Sequence, residues 1–203
     1  MAILRGSWTA LKLFATLSLT STMAAAQSAD GVSPVSDVMV VPVGAQFQAG
    51  GVHRLLLGSH YRDLWTTPIS VPVLDLATFA GGLEPLKVGG GMQTKSLRFK
   101  GADGREYVFR SLIKDPTQRL PAELRPTIAG RISRDQVSAI HPAGPLVAAV
   151  LLEAVGVLHS KPVMVALPRD RSLAAFGPEF PGAVGFVEER PTSEADSAPD
   201  GRE

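Results

Sequence analysis

Apolar and polar residues alternate in two neighbouring segments near the middle of the chain. Ser96–Lys100 and Glu106–Ile113 both follow a period of two, and the turn residues Gly101–Gly104 lie between them. Because successive side chains of a strand point to opposite faces, this pattern predicts a β-hairpin over 96–113. A triple glycine, Gly89–Gly91, stands immediately before the first strand.

The most apolar segment after the N-terminal region is Ala143–Leu158, with Pro145 near its start and Gly156 near its end. It is apolar nearly all round and predicts a helix buried at the centre of the core. Short apolar runs at 162–167 and 183–189 predict two more strands. The expected fold is therefore α+β, a small and mainly antiparallel sheet with the buried helix packed across it. That arrangement would be compatible with the N-terminal lobe of a kinase.

The remaining patterns are less regular. His53–Trp65 indicates a helical piece broken at Gly58, and a further helix is expected over Thr127–Ile140. Pro68 and Pro72 favour extended chain. Residues 27–50 resemble a linker that ends in one strand near 38–43, residues 51–190 form the α+β module, and the polar stretch 191–203 is expected to be disordered.

The first 26 residues have the three parts of a secretory leader. Arg5 and Lys12 precede the apolar run Leu13–Met23, and three alanines ending at Ala26 follow it. This order predicts export with cleavage after Ala26, and the alternative is a buried first helix. The mature chain would have 177 residues, a formal charge of −1 and no transmembrane span.

Composition excludes several classes of protein. The 20 basic and 19 acidic residues nearly cancel, so the charge gives no reason to expect a nucleic-acid partner. The absence of cysteine excludes disulfides, thiolate metal sites and a cysteine nucleophile. The four histidines have no metal-binding spacing, and no serine lies in a Gly-x-Ser-x-Gly motif. We expect neither a metal nor another cofactor.

The glycine loop is the segment with the clearest potential for chemistry. Gly89, Gly90 and Gly91 would let backbone amides approach a phosphate, and Lys95, Arg98 or Arg110 could supply positive charge. Protein kinases cover ATP with such a loop and place a cation on a following strand. The alternative is a flexible loop that leads into a solvated hairpin.

Glu153 lies in the apolar helix, where a kinase places the glutamate that pairs with its strand cation. We therefore expect a Glu153–Arg110 ion pair, which structural pairing alone would explain equally well. The His-Arg-Asp and Asp-Phe-Gly motifs of phosphoryl transfer do not occur in the sequence. No complete catalytic set is present, so we do not expect an enzyme.

Four strings resemble a conserved region of large bacterial envelope proteins. In that family the region is a middle module, often joined to a calcineurin-like metallophosphoesterase and to a surface-antigen barrel of the outer membrane. The resemblance implies an exported, non-catalytic module at the periplasm or outer-membrane periphery, here a shortened member of the family. Its partners would be other envelope proteins or further C-terminal domains. The strings are GSHYRDLW (58–65), GGLEPLKVGGGMQTKSLRFKGADGREYVFRSLIKDP (81–116), HPAGPLVAAVLLEAVGVLHSKPVMVALP (141–168) and EERP (188–191).

The same region is similar, more distantly, to the ATP-binding lobe of persistence-toxin kinases. Those kinases have a Gly-x-Gln-x-Lys loop, which Gly91, Gln93 and Lys95 match. The resemblance implies an alternative function, the binding of a nucleotide or phosphate by the 89–95 loop and Arg110. In these kinases the strand cation is a lysine and an Asn-Glu pair begins the next helix, whereas here the positions hold Arg110 and His141-Pro142.

Overall fold

The computed structural model describes residues 35–91 and 93–191, which form a seven-stranded sheet with short helices. Across the sheet the order is β1-β2-β6-β7-β5-β4-β3, and only the β2–β6 pair is parallel. The predicted α+β class is confirmed. The strands are Val35–Pro42 (β1), Pro68–Leu74 (β2), Leu83–Gly89 (β3), Thr94–Gly101 (β4), Glu106–Lys114 (β5), Val163–Ala166 (β6) and Val184–Arg190 (β7). The α-helices are Gly51–Leu57 (α1), Arg62–Thr66 (α2), Ile128–Asp135 (α3), Gly144–Ala154 (α4) and Arg171–Ala174 (α5).

The predicted hairpin over 96–113 is confirmed as β4 and β5. Leu97 pairs with Phe109 and Phe99 pairs with Tyr107. A strand that the sequence did not predict, β3, pairs antiparallel with β4, so the three strands form a meander. The glycines at 89–91 therefore connect two strands and do not follow an irregular loop.

The strands predicted at 162–167 and 183–189 are confirmed as β6 and β7, and the strand near 38–43 is confirmed as β1. β7 lies between β5 and β6, so sequence neighbours are not sheet neighbours here. β1 begins within the stretch predicted as a linker and pairs with β2, as in the register Met39–Val71.

The two helical predictions are confirmed with small changes. Gly58 separates α1 from α2 with a φ of +88°, a left-handed value that glycine adopts readily. The segment predicted over 127–140 contains α3 and then a 3₁₀ turn at Gln136–Ala139. Thr127 caps α3, because its hydroxyl accepts a hydrogen bond from the Ala129 amide at 3.2 Å.

Two hydrophobic clusters cover opposite faces of the sheet. Alternate side chains of β5 divide between them, with Phe109 in the first cluster and Leu112 in the second. The first cluster is closed by α5 and the segment after it, through Leu173 and Phe180. The second cluster consists of Phe47, Trp65, Leu112, Val137 and Phe186.

The prediction of a buried central helix is wrong. None of the residues of α4 is buried, and only Leu146 packs, partly buried, against the second cluster. Trp65 from α2 and Val137 from the 3₁₀ turn already occupy the space over that face of the sheet. The apolar composition of 143–158 indicates that this segment can pack against an apolar surface. It does not indicate that other residues, Trp65 and Val137, cover that face of the sheet.

No single helix among the described residues is long and apolar enough to cross a membrane. Residues 128–139 and α4 satisfy the length and hydropathy criteria only as a pair, and the two helices are bent by 41°. The predicted leader at 1–26 lies outside the described residues, as does nearly all of the predicted tail at 191–203.

Replacing Phe99 should show which contacts maintain the fold. Phe99 is fully buried in the first cluster, so Phe99→Ala should lower the free energy of unfolding by about 3–5 kcal/mol. Leu86, on the exposed side of β3, is the control, and Leu86→Ala should change it by less than about 0.5 kcal/mol. Urea unfolding measures both values. Equal effects at the two positions would contradict the assignment of the core.

Candidate functional site

The predicted glycine loop is a tight turn between β3 and β4. Gly89 ends β3 opposite Ser96, and Gly90 has a φ of +113°. A Cβ atom at Gly90 would collide with the backbone carbonyl of Thr94, so only glycine fits there. Gly91 is exposed, and a Cβ atom there would meet nothing.

The structure places the two predicted cations on opposite faces of the sheet. Lys95 shares its face with Leu97 of the first cluster and pairs with Glu179 at 3.3 Å. Arg110 shares its face with Leu112 of the second cluster, and its Nε donates to Glu188 Oε1 at 2.7 Å. The structure therefore does not bring Lys95 and Arg110 together.

The predicted Glu153–Arg110 ion pair is wrong. Glu153 Oε1 lies 3.4 Å from Lys161 Nζ, and both side chains are exposed. The partner of Arg110 is Glu188, which also accepts a hydrogen bond from Ser160 Oγ at 2.7 Å. The cause is topological: β7 lies directly beside β5 and presents Glu188 diagonally across from Arg110.

Gln93 is the remaining predicted loop residue, and it connects the turn to the following segment. Its backbone carbonyl accepts a hydrogen bond from the Asp115 amide at 2.8 Å. With the amide oxygen turned toward Arg119, its side chain accepts from Nη1 at 3.2 Å and Nε at 3.3 Å. Gln93 therefore has structural partners on both its backbone and its side chain.

A different cation, Arg98, lies beside the glycine turn. Its Nε would be 3.7 Å from a Cβ atom at Gly89. Arg98 pairs with Val108 and so lies on the face that carries Arg110, at a diagonal position on the next strand. Among the described residues, Arg98 has no ion pair or side-chain hydrogen bond. Two guanidinium groups on one face could attract a phosphate or another anion.

The second candidate surface is the outer side of α4. Val147, Val150, Leu151 and Ala154 recur at spacings of three and four residues, which places them along one side of the helix. Val150 is 67% exposed and Leu151 62% exposed. We call these four residues, with Val155 at the helix end, the α4 stripe. The stripe is an apolar surface with no partner among the described residues.

Sequence reasoning missed the most buried charged group, Arg62 in α2. Its side chain is fully buried and donates to Asp135 through Nη1 at 2.8 Å and Nη2 at 2.6 Å. Its Nε donates to the Gly58 carbonyl at 2.9 Å, and His53 Nε2 lies 3.0 Å from the same carboxylate. The one available signal was position, because Arg62 precedes Trp65 by three residues and shares its helix face.

The Arg62–Asp135 pair is suited to structure and not to proton transfer. The hydrogen bonds from Arg62 are the main reason that the pKa of Asp135 lies below its usual value; burial opposes them, and His53 contributes further. A guanidinium stays protonated at all ordinary pH values, so this bidentate pair cannot shuttle protons. Its role is to join α2 to the end of α3.

The described residues were also compared with the requirements of a metal site. Among residues 35–91 and 93–191, there is no group of three or more His, Asp or Glu side chains placed to hold a metal ion.

Comparison of the chain with protein-family models, curated proteins and solved structures finds no match. The resemblances to envelope modules and to kinase lobes therefore stay predictions. The structure offers two surfaces on which a function can be based, the glycine turn with its arginines and the α4 stripe.

Replacing Asp135 by asparagine should be strongly destabilising. The Asp135→Asn chain would keep a buried guanidinium without a counter-charge, at a cost of about 3–5 kcal/mol in the free energy of unfolding. Because folding lowers the pKa of Asp135, its contribution is present above the unfolded pKa of about 3.9 and is lost as the pH falls through the folded pKa. Urea unfolding between pH 7 and pH 3 should show a larger loss of stability in the parent chain than in the variant, because other carboxyls with lowered pKa values, such as that of Asp115, are present in both.

The matched control is Asp63, whose exposed carboxylate pairs with Arg54 at 2.6 Å. Asp63→Asn should change stability little, since water solvates both groups. If Asp135→Asn were as mild as Asp63→Asn, the structural role of the buried pair would be contradicted.

Proposed function

We propose that this protein is an exported, non-catalytic module of the bacterial cell envelope that works by binding another polypeptide. Two features support the proposal: the leader pattern of residues 1–26 and the α4 stripe. The leader indicates where the protein acts, and the stripe indicates how. The observation that carries the proposal is the exposure of the stripe.

The exposure of the α4 stripe is unusual for a helix of this composition. Residues 143–158 contain a single charged side chain, Glu153, yet the helix buries only a narrow inner side against the second cluster. Covering the stripe would yield on the order of 10 kcal/mol, at about 25 cal/mol per Å² of apolar surface removed from water. Contiguous apolar surface of this kind marks interaction sites, and depletion of charge is typical of the centre of a protein interface.

A second candidate function, the binding of a phosphate-bearing ligand, is favoured by the glycine turn. Gly90 is restricted to glycine by its φ and by the Thr94 carbonyl, and Arg98 and Arg110 lie on one face beside it. Against this function stands Glu188, which already partly neutralises Arg110. Two residues that the sequence suggested for this function take no part in the arginine face. Lys95 lies on the opposite face of the sheet with Glu179, and Glu153 pairs with Lys161.

Export and partner binding can be tested together in a Gram-negative host. We expect the chain in the envelope or periplasmic fraction with Gln27 as its first residue, and Leu17→Arg, which interrupts the apolar run, should keep it in the cytosol. A photo-crosslinking amino acid at Leu151 should capture a polypeptide, and the same group at Leu86 should not. An uncleaved cytosolic chain, or equal capture at both positions, would contradict the proposal.

If the protein binds a phosphate-bearing ligand, the second candidate function, binding should depend on the arginines of one face of the sheet and not on Lys95 of the other. If ATP with magnesium or pyrophosphate binds in calorimetry, Arg98→Ala and Arg110→Ala should each weaken binding by about tenfold, as expected for a lost charge-assisted hydrogen bond. Lys95→Ala is the matched control and should have no effect, because Lys95 lies on the opposite face with Glu179. Absence of heat at millimolar ligand, or equal loss with Lys95→Ala, would exclude this site.

A further inference from the structure

We infer that the polypeptide covering the α4 stripe is a second copy of this chain, packed as an antiparallel, two-fold symmetric helix pair. This inference rests on the proposed function and names its partner. The argument uses the spacing of the stripe, its area and its charge.

The spacing fits the packing of one helix against another. Val147, Val150, Leu151 and Ala154 occupy positions i, i+3, i+4 and i+7, the repeat that forms a helix–helix seam. The positions on the other side of α4 are Leu146, Ala149 and Leu152, and these are the partly buried ones. The helix thus has two apolar sides, and the sheet occupies only one of them.

The area suits a weak, reversible symmetric pair. The stripe presents roughly 400 Å² of apolar surface per copy, counting Val155 at 71% exposure. Two copies would bury up to about 800 Å², which is below the area of standard stable interfaces and is typical of a weak association. A second copy carries an identical stripe by definition, and an isologous interface requires that the same patch serve both sides.

The charge argues against a lipid surface as the alternative occupant. Residues 143–158 contain no lysine or arginine, and their one charged group is the carboxylate of Glu153. Helices that lie on anionic bilayers use cations to hold the headgroups, which this stripe cannot do. In a helix pair, Glu153 can stay at the rim with Lys161 of its own chain. A two-fold axis near Leu151 would place Val147 of one copy opposite Val155 of the other.

The test uses the exported chain purified after leader cleavage, at roughly 100 µM, well above a micromolar dissociation constant. Light scattering should give the mass of two copies. Leu151→Asp should raise the dissociation constant of the pair at least about tenfold, and Leu86→Asp, a like change at an exposed leucine on β3, should leave it unchanged. Circular dichroism and urea unfolding should show both variants folded, because both side chains are exposed.

The absence of cysteine gives a second, independent readout. Leu151→Cys should form a disulfide-linked dimer on mild oxidation, because the two-fold axis brings this position near its symmetry mate. Leu86→Cys should remain a single chain.

A single-copy mass together with no Leu151→Cys dimer would overturn the inference. In that case, capture of a different envelope protein from Leu151 would leave the proposed function standing, whereas capture of nothing at Leu151 would end both. Dimerisation of a chain that stays in the cytosol would support the helix pair and contradict the envelope function.

Discussion

The buried ion pair of Arg62 with Asp135 determines how one face of the sheet is covered. Its two short hydrogen bonds join α2 to the end of α3, and Trp65, one turn beyond Arg62, is thereby held over Leu112 and Phe186. A buried guanidinium requires its counter-charge, so this junction has little freedom to rearrange. Because Trp65 and Val137 fill the face, α4 reaches the cluster only through Leu146 and leaves its other side in solvent.

The two candidate surfaces differ in what they could bind. The glycine turn offers cations on a rigid meander, but its arginine nearest the sheet centre, Arg110, already has Glu188 as a partner. The α4 stripe offers apolar area without charge and without a partner in the parts of the chain that the structure describes, residues 35–91 and 93–191. Since hydrophobic burial is the larger source of association free energy, the stripe is the better basis for a function, and a protein surface is a better match for it than an anion or a lipid.

Local patterns predicted the local structure. Alternation at 96–113 identified β4 and β5, and Gly58 marked the break between α1 and α2. The errors concern contacts between distant segments. Nothing in Ala143–Leu158 reveals that Trp65 covers the sheet, and nothing near Arg110 reveals that β7 brings Glu188 beside it. The positions of Lys95 and Arg110 are a similar case. Only the register of β4 on β5, in which Ser96 pairs with Arg110, shows that the two side chains lie on opposite faces of the sheet.

The manner in which β2 joins the sheet has a consequence for folding order and local unfolding. β3, β4 and β5 form two successive hairpins, and their short loops close at small entropic cost. The parallel contact of β2 with β6, in contrast, joins segments that are remote in the sequence, through the single registered pair Val73–Ala166. Among residues 37–42 and 68–74 of the β1–β2 ribbon, only Val71 and Leu74 are buried. The ribbon should therefore form last and open first, exchanging its amide hydrogens faster than the meander.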